Sequence, residues 1–233
     1  MNGIIIIDKP LGRTSHDMVY VMRKMTGIKK VGHTGTLDPE ATGVLPVCIG
    51  SATKVADMLT LSDKCYRAEL VLGMTTDTQD ADGEVLTECE VTCSEDEIRQ
   101  VIMSFVGEIE QIPPMYSAIK QNGKKLYELA RKGIEVERKS RKVTINSIDI
   151  LEINGERVTI DVSCSKGTYI RTLCEDIGMK LHVGAYMNTL RRTKTGPFTI
   201  EESHTLKEIE TLKNNGELEK IIIPVDRMFE EYP

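Results

Sequence analysis

The sequence has 233 residues and a formal net charge of −6, with 40% hydrophobic and 28% charged residues, which excludes disorder over most of its length and collagen-like repeats. The longest apolar run near the start, Ile4–Ile7, is far short of the ~20 residues of a membrane span, and with no basic segment before it and Asp8 directly after, a signal peptide is excluded too. Six cysteines, at 48, 65, 89, 93, 164 and 174, and no export signal predict a cytoplasmic chain with scattered, reduced thiols.

Ile4–Ile7 reads as a short buried strand closed by Asp8-Lys9-Pro10. Ser15 is placed to cap a helix with Met18, Val19, Met22 and Met25 at helical spacing, and Gly27 ends it. A glycine-punctuated loop from Val31 to Gly43 leads into the strand-like run Val44–Ile49. Tyr66–Leu72 predicts another strand, stopped by Gly73, and residues 75–84, rich in carboxylates, predict a surface loop. Ser94 with Glu97 fits a capping box for a helix bearing Ile98, Val101, Ile102 and Phe105 on one side. Val143–Leu151 and Arg157–Cys164 are strand candidates joined through Asn154-Gly155, a hairpin signal. Ile170, Leu173, Cys174 and Ile177 suit a short helix, and Leu206, Ile209 and Leu212 mark one more. This irregular interleaving, with at least one hairpin, favours an α+β fold around a mixed sheet over a parallel doubly wound one.

The charge is segregated along the chain. Residues 1–67 carry 9 Lys/Arg against 6 Asp/Glu, and residues 68–110 carry 1 against 12. Residues 111–200 carry 16 against 9, and residues 201–233 carry 4 against 9. A polyanion responds to the field within a Debye length of ~8–10 Å, so two basic stretches are compatible with a basic groove; solvated helix faces are the plainer account. The 4 histidines and 6 cysteines show no zinc spacing, and no metal is expected.

The loop Gly32 to Gly43 reads Gly-His-Thr-Gly-Thr-Leu-Asp-Pro-Glu-Ala-Thr-Gly. It is not a P-loop, since no Gly-Lys-[Ser/Thr] follows. Local chemistry alone allows Asp38 to be a helix N-cap with Pro39 at the first helical position. The segment from Gly32 to Pro39 with Ala41-Thr42-Gly43, however, closely resembles the active-site motif of the TruB-type tRNA pseudouridine synthases. Further segments match that family in order: Asp8-Lys9-Pro10, Lys64-Cys65-Tyr66-Arg67, Thr76 to Gly83, Ile112 to Ala118, Lys166 to Arg171, and Leu190-Arg191-Arg192. The resemblance covers essentially the whole chain.

It implies a pseudouridine synthase fold with a mixed, mostly antiparallel sheet flanked by helices, and conversion of uridine 55 in the tRNA T-loop to pseudouridine. It implies no cofactor, no required protein partner and a monomer that binds the T-arm of tRNA. By the same resemblance Asp38 is the catalytic carboxylate, Arg171 pairs with it, and Tyr66 stacks on the flipped base and handles the C5 proton late. Tyr169 and Leu190 line the uracil pocket, and His33 enters the disturbed T-loop. Lys9, Lys64, Lys120, Lys124 and Arg191 are expected to meet the RNA backbone. Residues 111–142, dense in Lys and Arg, look like a mobile arm able to close on the tRNA; a solubilised helix is the rival reading. The family usually continues into a small RNA-binding PUA domain, whereas this sequence stops at Glu231-Tyr232-Pro233. The expectation is therefore a catalytic domain over 1–233, its C-terminal part at about 180–233, either truncated or naturally without a PUA domain. The resemblance also admits a guide-RNA-dependent relative that shares the Asp loop, and an RNA-binding or tRNA-folding module with secondary catalysis remains a third reading.

Overall fold

Runs of β-branched residues and capped amphipathic stretches alternate along the chain. The computed structural model describes residues 1–226, and the Glu231-Tyr232-Pro233 end lies outside the described residues. The first third forms β1 (Gly3–Lys9), α1 (Ser15–Thr26), β2 (Val31–His33), β3 (Ala41–Ile49), α2 (Ala56–Thr60) and β4 (Lys64–Leu72). There follow β5 (Met74–Thr76), β6 (Val85–Glu88), α3 (Glu95–Met103), β7 (Gly107–Gln111), β8 (Lys120–Gln121), β9 (Lys124–Lys125) and α4 (Leu126–Ala130). The remainder forms β10 (Arg141–Asn154), β11 (Arg157–Cys164), α5 (Ile170–Lys180), β12 (Ala185–Thr195), β13 (Phe198–Thr199) and α6 (Leu206–Asn214). The chain is thus α+β, as its pattern predicts. It divides into two compact units, one of residues 1–66 with the segment from Leu190 onward, the other of residues 67–189, the boundaries falling inside β4 and β12.

In the first unit β3 is the organising strand. It pairs antiparallel with β1 (Ile5↔Val47, Ile7↔Leu45) and with β2 (Val31↔Ile49). It pairs parallel with β12 (Leu190↔Ala41, Arg192↔Gly43), so the sheet is mixed. Four consecutive isoleucines suit β1 because both faces are covered. Ile5 and Ile7 pack with Met18, Val19 and Met22 of α1 and with Ile209 of α6, while Ile4 and Ile6 pack with Ala52, Leu59 and Phe198. The helix cap is not Ser15 as expected. Thr14 is the N-cap, in a reciprocal capping box with Asp17, and Ser15 is the first helical residue, its hydroxyl turned inward.

In the second unit the strand order is β4-β11-β10-β7. β10 and β11 form a long antiparallel hairpin whose register closes at Asn154↔Arg157, so the two-residue loop is Gly155-Glu156. Gly155, at φ 61°, supplies the left-handed turn position. Residues 75–84 are not wholly a surface loop. Thr75 and Thr76 lie in β5 and are buried; Thr76 Oγ1 donates to the carbonyl of Asp80 at 2.7 Å.

Helix α5 buries Ile170, Arg171, Leu173, Cys174 and Ile177. Burial, with the Glu175 carboxylate beside it, pushes Asp176 up to about 6 from 3.8. Between those values the folded chain holds a proton that the unfolded chain has released, so stability falls as pH rises through that window and levels off above it. Asp176→Asn is accordingly expected to raise the melting temperature at pH 7 and to flatten the fall between pH 4 and pH 6. An unchanged melting temperature at pH 7 would show that Asp176 is not strained by its burial.

Candidate active site

The site residues of the first unit are carried by the turn between β2 and β3. His33 closes β2, and the Thr34 amide donates to the carbonyl of Pro46 at 3.0 Å. Gly35, at φ 78°, lets the chain reverse, and Leu37 is buried in the main cluster of this unit. Ser15 Oγ holds Leu37 on both sides, accepting from its amide at 2.8 Å and donating to its carbonyl at 3.0 Å. The Ala41 amide donates to the carbonyl of Asp38 at 3.0 Å, and β3 begins there. No helix follows Pro39, so the N-cap reading of Asp38 is overturned: Pro39 and Glu40 are turn residues, and the Asp38 side chain is exposed on a backbone fixed at both flanks.

The turn is fastened beneath as well. The Gly12 amide donates to the carbonyl of Pro39 at 2.9 Å. Lys9 Nζ donates to the carbonyls of Pro39 at 3.1 Å, Pro10 at 3.0 Å and Arg13 at 2.5 Å. Burial lowers Lys9 to about 8, against the opposing pull of Glu40 and Asp38. Lys9 and Lys64, expected on the RNA-facing surface, are both buried; Lys64 Nζ donates to the carbonyls of Thr60 and Ser62.

Tyr66 and Leu190 are partly buried and pack against the apolar cluster that contains Leu37 and Ala41, and Leu190 is in register with Ala41 across the β3–β12 pair. His33 is half-buried, and its proton affinity is lowered by burial first, then by the charges of Arg192 and His16. Its Nδ1 is buried without a hydrogen-bond partner among the described residues. Arg191 is half-buried and paired, its Nη1 and Nη2 meeting the Asp8 carboxylate at 3.1 and 2.8 Å and its Nη1 reaching Thr42 Oγ1. Arg192 is fully buried: Nε donates to the carbonyl of Val44 at 2.8 Å and Nη2 to that of Gly35 at 3.3 Å, which ties the turn to β3 from inside.

In the second unit Arg171 is buried at the start of α5. Its guanidinium donates to the carbonyls of Thr78 at 3.1 Å and Tyr116 at 2.8 Å and lies 3.6 Å from the Asp80 carboxylate. Tyr169, the residue before the helix, is held through its backbone by the buried side chain of Gln111, whose Nε2 donates to the Tyr169 carbonyl at 3.2 Å and whose Oε1 accepts from the Tyr169 amide at 3.0 Å. Gln79, at φ 66°, links the 77–84 turn to α5: Thr172 donates to it at 2.9 Å and it donates to Glu175. Lys120 and Lys124 are exposed on the β8–β9 hairpin, whose turn residues Asn122 and Gly123 have φ 50° and 81°. Tyr127 follows, with the cations of Lys125 and Arg131 each 5.3 Å from its ring centre.

Ser15 and Gln111 carry no functional signal in the sequence, while Gln79 and Arg192 stand within family-matching segments without an assigned role. Each is a polar residue whose partner lies far along the chain. Among the described residues no group of three or more His, Cys, Asp or Glu is placed to hold a metal, and no helix is long and apolar enough to cross a membrane.

Comparison with known proteins adds a separate line of support. The family model "TruB family pseudouridylate synthase (N terminal domain)" matches residues 23–170, and "tRNA pseudouridylate synthase B C-terminal domain" matches residues 171–230. The chain is 58% identical to tRNA pseudouridine synthase B of Alkaliphilus oremlandii, over 97% of this chain and 75% of that protein. It is 53% identical to the protein of that name from Clostridium perfringens strain SM101, over 100% of this chain and 78% of that one. Among solved structures it is similar to a chain of a Cbf5-Nop10-Gar1 complex, with TM-score 0.75 and 37% identity over 95% of this chain and 60% of that one. A chain of an H/ACA RNP bound to a substrate RNA gives TM-score 0.72 and 34% identity over 95% of this chain and 59% of that one.

Proposed function

The chain belongs to the TruB family of pseudouridylate synthases, and on that premise we propose that it isomerises uridine 55 in the T-loop of tRNA, with Asp38 as the catalytic carboxylate. Its function is tRNA pseudouridine synthesis, an isomerisation. The reaction breaks the bond from ribose C1′ to uracil N1, turns the base and joins C1′ to C5. The proton leaves C5 and N1 gains one, so no oxidant, reductant or group donor is consumed. A carboxylate able to act as nucleophile or base beside C1′ is the group this chemistry needs.

The observation that carries the reading is the mounting of Asp38. Its side chain is exposed, while its neighbours Leu37 and Ala41 are held by Ser15, by the Asp38 carbonyl and by the β3–β12 register. We assign the reception of the extruded uracil to Tyr66 and Leu190, whose packing against the cluster that holds Leu37 and Ala41 supports it. Extrusion costs a few kcal/mol, and stacking on an aromatic ring offsets about 1–3 kcal/mol of it. Tyr66 is the ring assigned that role by its family motif. His33, uncharged at neutral pH by its lowered proton affinity, suits insertion beside a base rather than pairing with phosphate. Tyr169 and Arg171 are assigned the roles their family motif carries.

On this reading residues 1–233 form the catalytic domain, segment 111–142 meets the RNA backbone through Lys120 and Lys124, and the enzyme acts in the cytoplasm as a monomer. Identity of 53–58% to relatives named for tRNA, against 34–37% to the RNP-held chains, supports tRNA as the substrate. The test is tritium release from tRNA carrying 5-tritiated uridine. Stoichiometric release from position 55 is expected. Binding without release would leave the chain an RNA-binding module, and release only with an added guide RNA would move it to the other branch.

A further inference from the structure

Lys9 and Lys64 lie inside the fold, whereas a dense group of exposed cations stands on and around α1. Between residues 10 and 30 the chain has five Lys/Arg (Arg13, Arg23, Lys24, Lys29 and Lys30) against one acid, Asp17. All five are exposed, as are His16 and Tyr20. Met18, Val19 and Met22 face the core, so His16, Tyr20 and Lys24, four residues apart, line up on the outer face, with Arg13 just ahead of the cap. Asp17 is committed to the capping box with Thr14, its carboxylate accepting from the Thr14 amide at 2.8 Å.

Helix stability does not explain this pattern. Cations in the last turn complement the helix dipole, which accounts for Lys24, and Arg23 also donates to the carbonyl of Val31 at 3.3 Å. Arg13 and His16 sit at the opposite end, where a positive charge opposes the dipole. Neither Arg13, Lys24, Lys29 nor Lys30 makes an ion pair among the described residues. Tyr20 is 66% exposed, one helical turn from His16 on one side and from Lys24 on the other along the same face. Elsewhere in the unit the cations are mixed with acids: Lys207 and Lys213 of α6 stand among Glu208, Glu210 and Glu217.

The N-terminal end of this face adjoins the catalytic turn, since Gly12 bonds Pro39 and Ser15 bonds Leu37. From there the helix runs 12 residues, about 18 Å. We propose that the outer face of α1, through Arg13, His16, Tyr20, Lys24 and the following Lys29 and Lys30, is a backbone-binding surface for the tRNA strand adjoining the T-loop. The inference rests on the tRNA reading above. Cations without ion-pair partners in an otherwise acidic chain supply the charge complementarity, and an exposed ring among them is the composition that single-stranded or distorted RNA selects.

The experiment measures equilibrium binding of an unmodified tRNA transcript across a salt series, with steady-state kinetics in parallel. Arg13→Gln with Lys24→Gln is expected to lower the slope of log affinity against log salt by about 0.7–0.9 for each phosphate that is no longer neutralised. The kinetic penalty should fall on KM. Tyr20→Ala is expected to weaken binding about tenfold with the slope unchanged, as removal of a stacking platform would. Lys207→Gln with Lys213→Gln changes the net charge equally on α6 and should move neither quantity. Slopes that agree between wild type and the Arg13/Lys24 variant, or an equal fall in the α6 control, would overturn the proposal. Because binding is read without turnover, absence of tritium release by the wild type defeats the activity reading separately.

Discussion

Asp38→Asn is expected to abolish tritium release while binding tRNA within a few-fold of wild type. The amide has the shape of the carboxylate but is neither a nucleophile nor a base, and losing that group costs at least ~10²–10⁴ in rate. The fold should not notice the change. The turn is held by the Asp38 carbonyl, by Ser15 on Leu37 and by Gly12 and Lys9 on Pro39, all independent of the side chain. A melting temperature near that of wild type with no product places the defect in the chemistry. Turnover above about one-hundredth of wild type would remove Asp38 from its assigned role.

Gly43→Ala is expected to be the most damaging single methyl group in the first unit. Gly43 has φ +104°, and a Cβ there would lie 2.2 Å from the carbonyl oxygen of Arg192 and 2.9 Å from its amide nitrogen. These are backbone atoms in register with Gly43 across the parallel β3–β12 pair, so no rotamer change relieves the overlap. The strands have to part, which loosens the Leu190↔Ala41 pairing and unseats the buried guanidinium of Arg192 from Val44 and Gly35. A loss above about 4 kcal/mol, in the exceptional tail for point changes, is the expected result of denaturant titration. Gly27→Ala is the comparison. Its φ is +73° but nothing stands within 4 Å of its Cβ position, so only the backbone cost of about 1 kcal/mol applies. Equal losses in the two variants would show that the close crossing at Gly43 is not what sets its cost.

Both predictions concern residues within one stretch, and they differ in how visible their reasons are from the chain alone. Asp38 is legible through the family motif, which singles it out among the carboxylates of the chain as the candidate for the chemistry. Gly43 is legible as a loop glycine, but the neighbour that demands it, Arg192, lies far along the chain. The same division runs through the fold. The Ile4–Ile7 run, the α1 periodicity, the Ser94–Glu97 capping box and the hairpin near Asn154-Gly155 can be placed because their causes lie within a few residues of one another. Even there the finer assignment shifts: two adjacent hydroxyl residues could cap α1, and Thr14 does so because Ser15 is taken by Leu37.

Strand β12 shows what periodicity cannot reach. Asn188, Thr189, Arg191, Arg192 and Lys194 give it no apolar alternation, and its pairing with Ala41–Gly43 is what makes it a strand. Lys9 and Lys64 read as surface cations in the sequence, since a lone ammonium is costly to bury; backbone carbonyls offset that cost for Lys9, two of them from nearby Pro10 and Arg13 and the third from Pro39, 30 residues away, which no local rule announces.

The amino-acid sequence by itself therefore determined the α+β class, the family, the candidate for the catalytic carboxylate and the short-range elements, because propensity, capping and motif chemistry act between near neighbours along the chain. Tertiary structure alone decided which polar groups go inside, that a turn and not a helix follows Asp38, and that a group of cations stands exposed on and around α1. Those outcomes depend on hydrogen-bond partners and clashes between segments far apart in sequence, whose proximity exists only once the strands have paired.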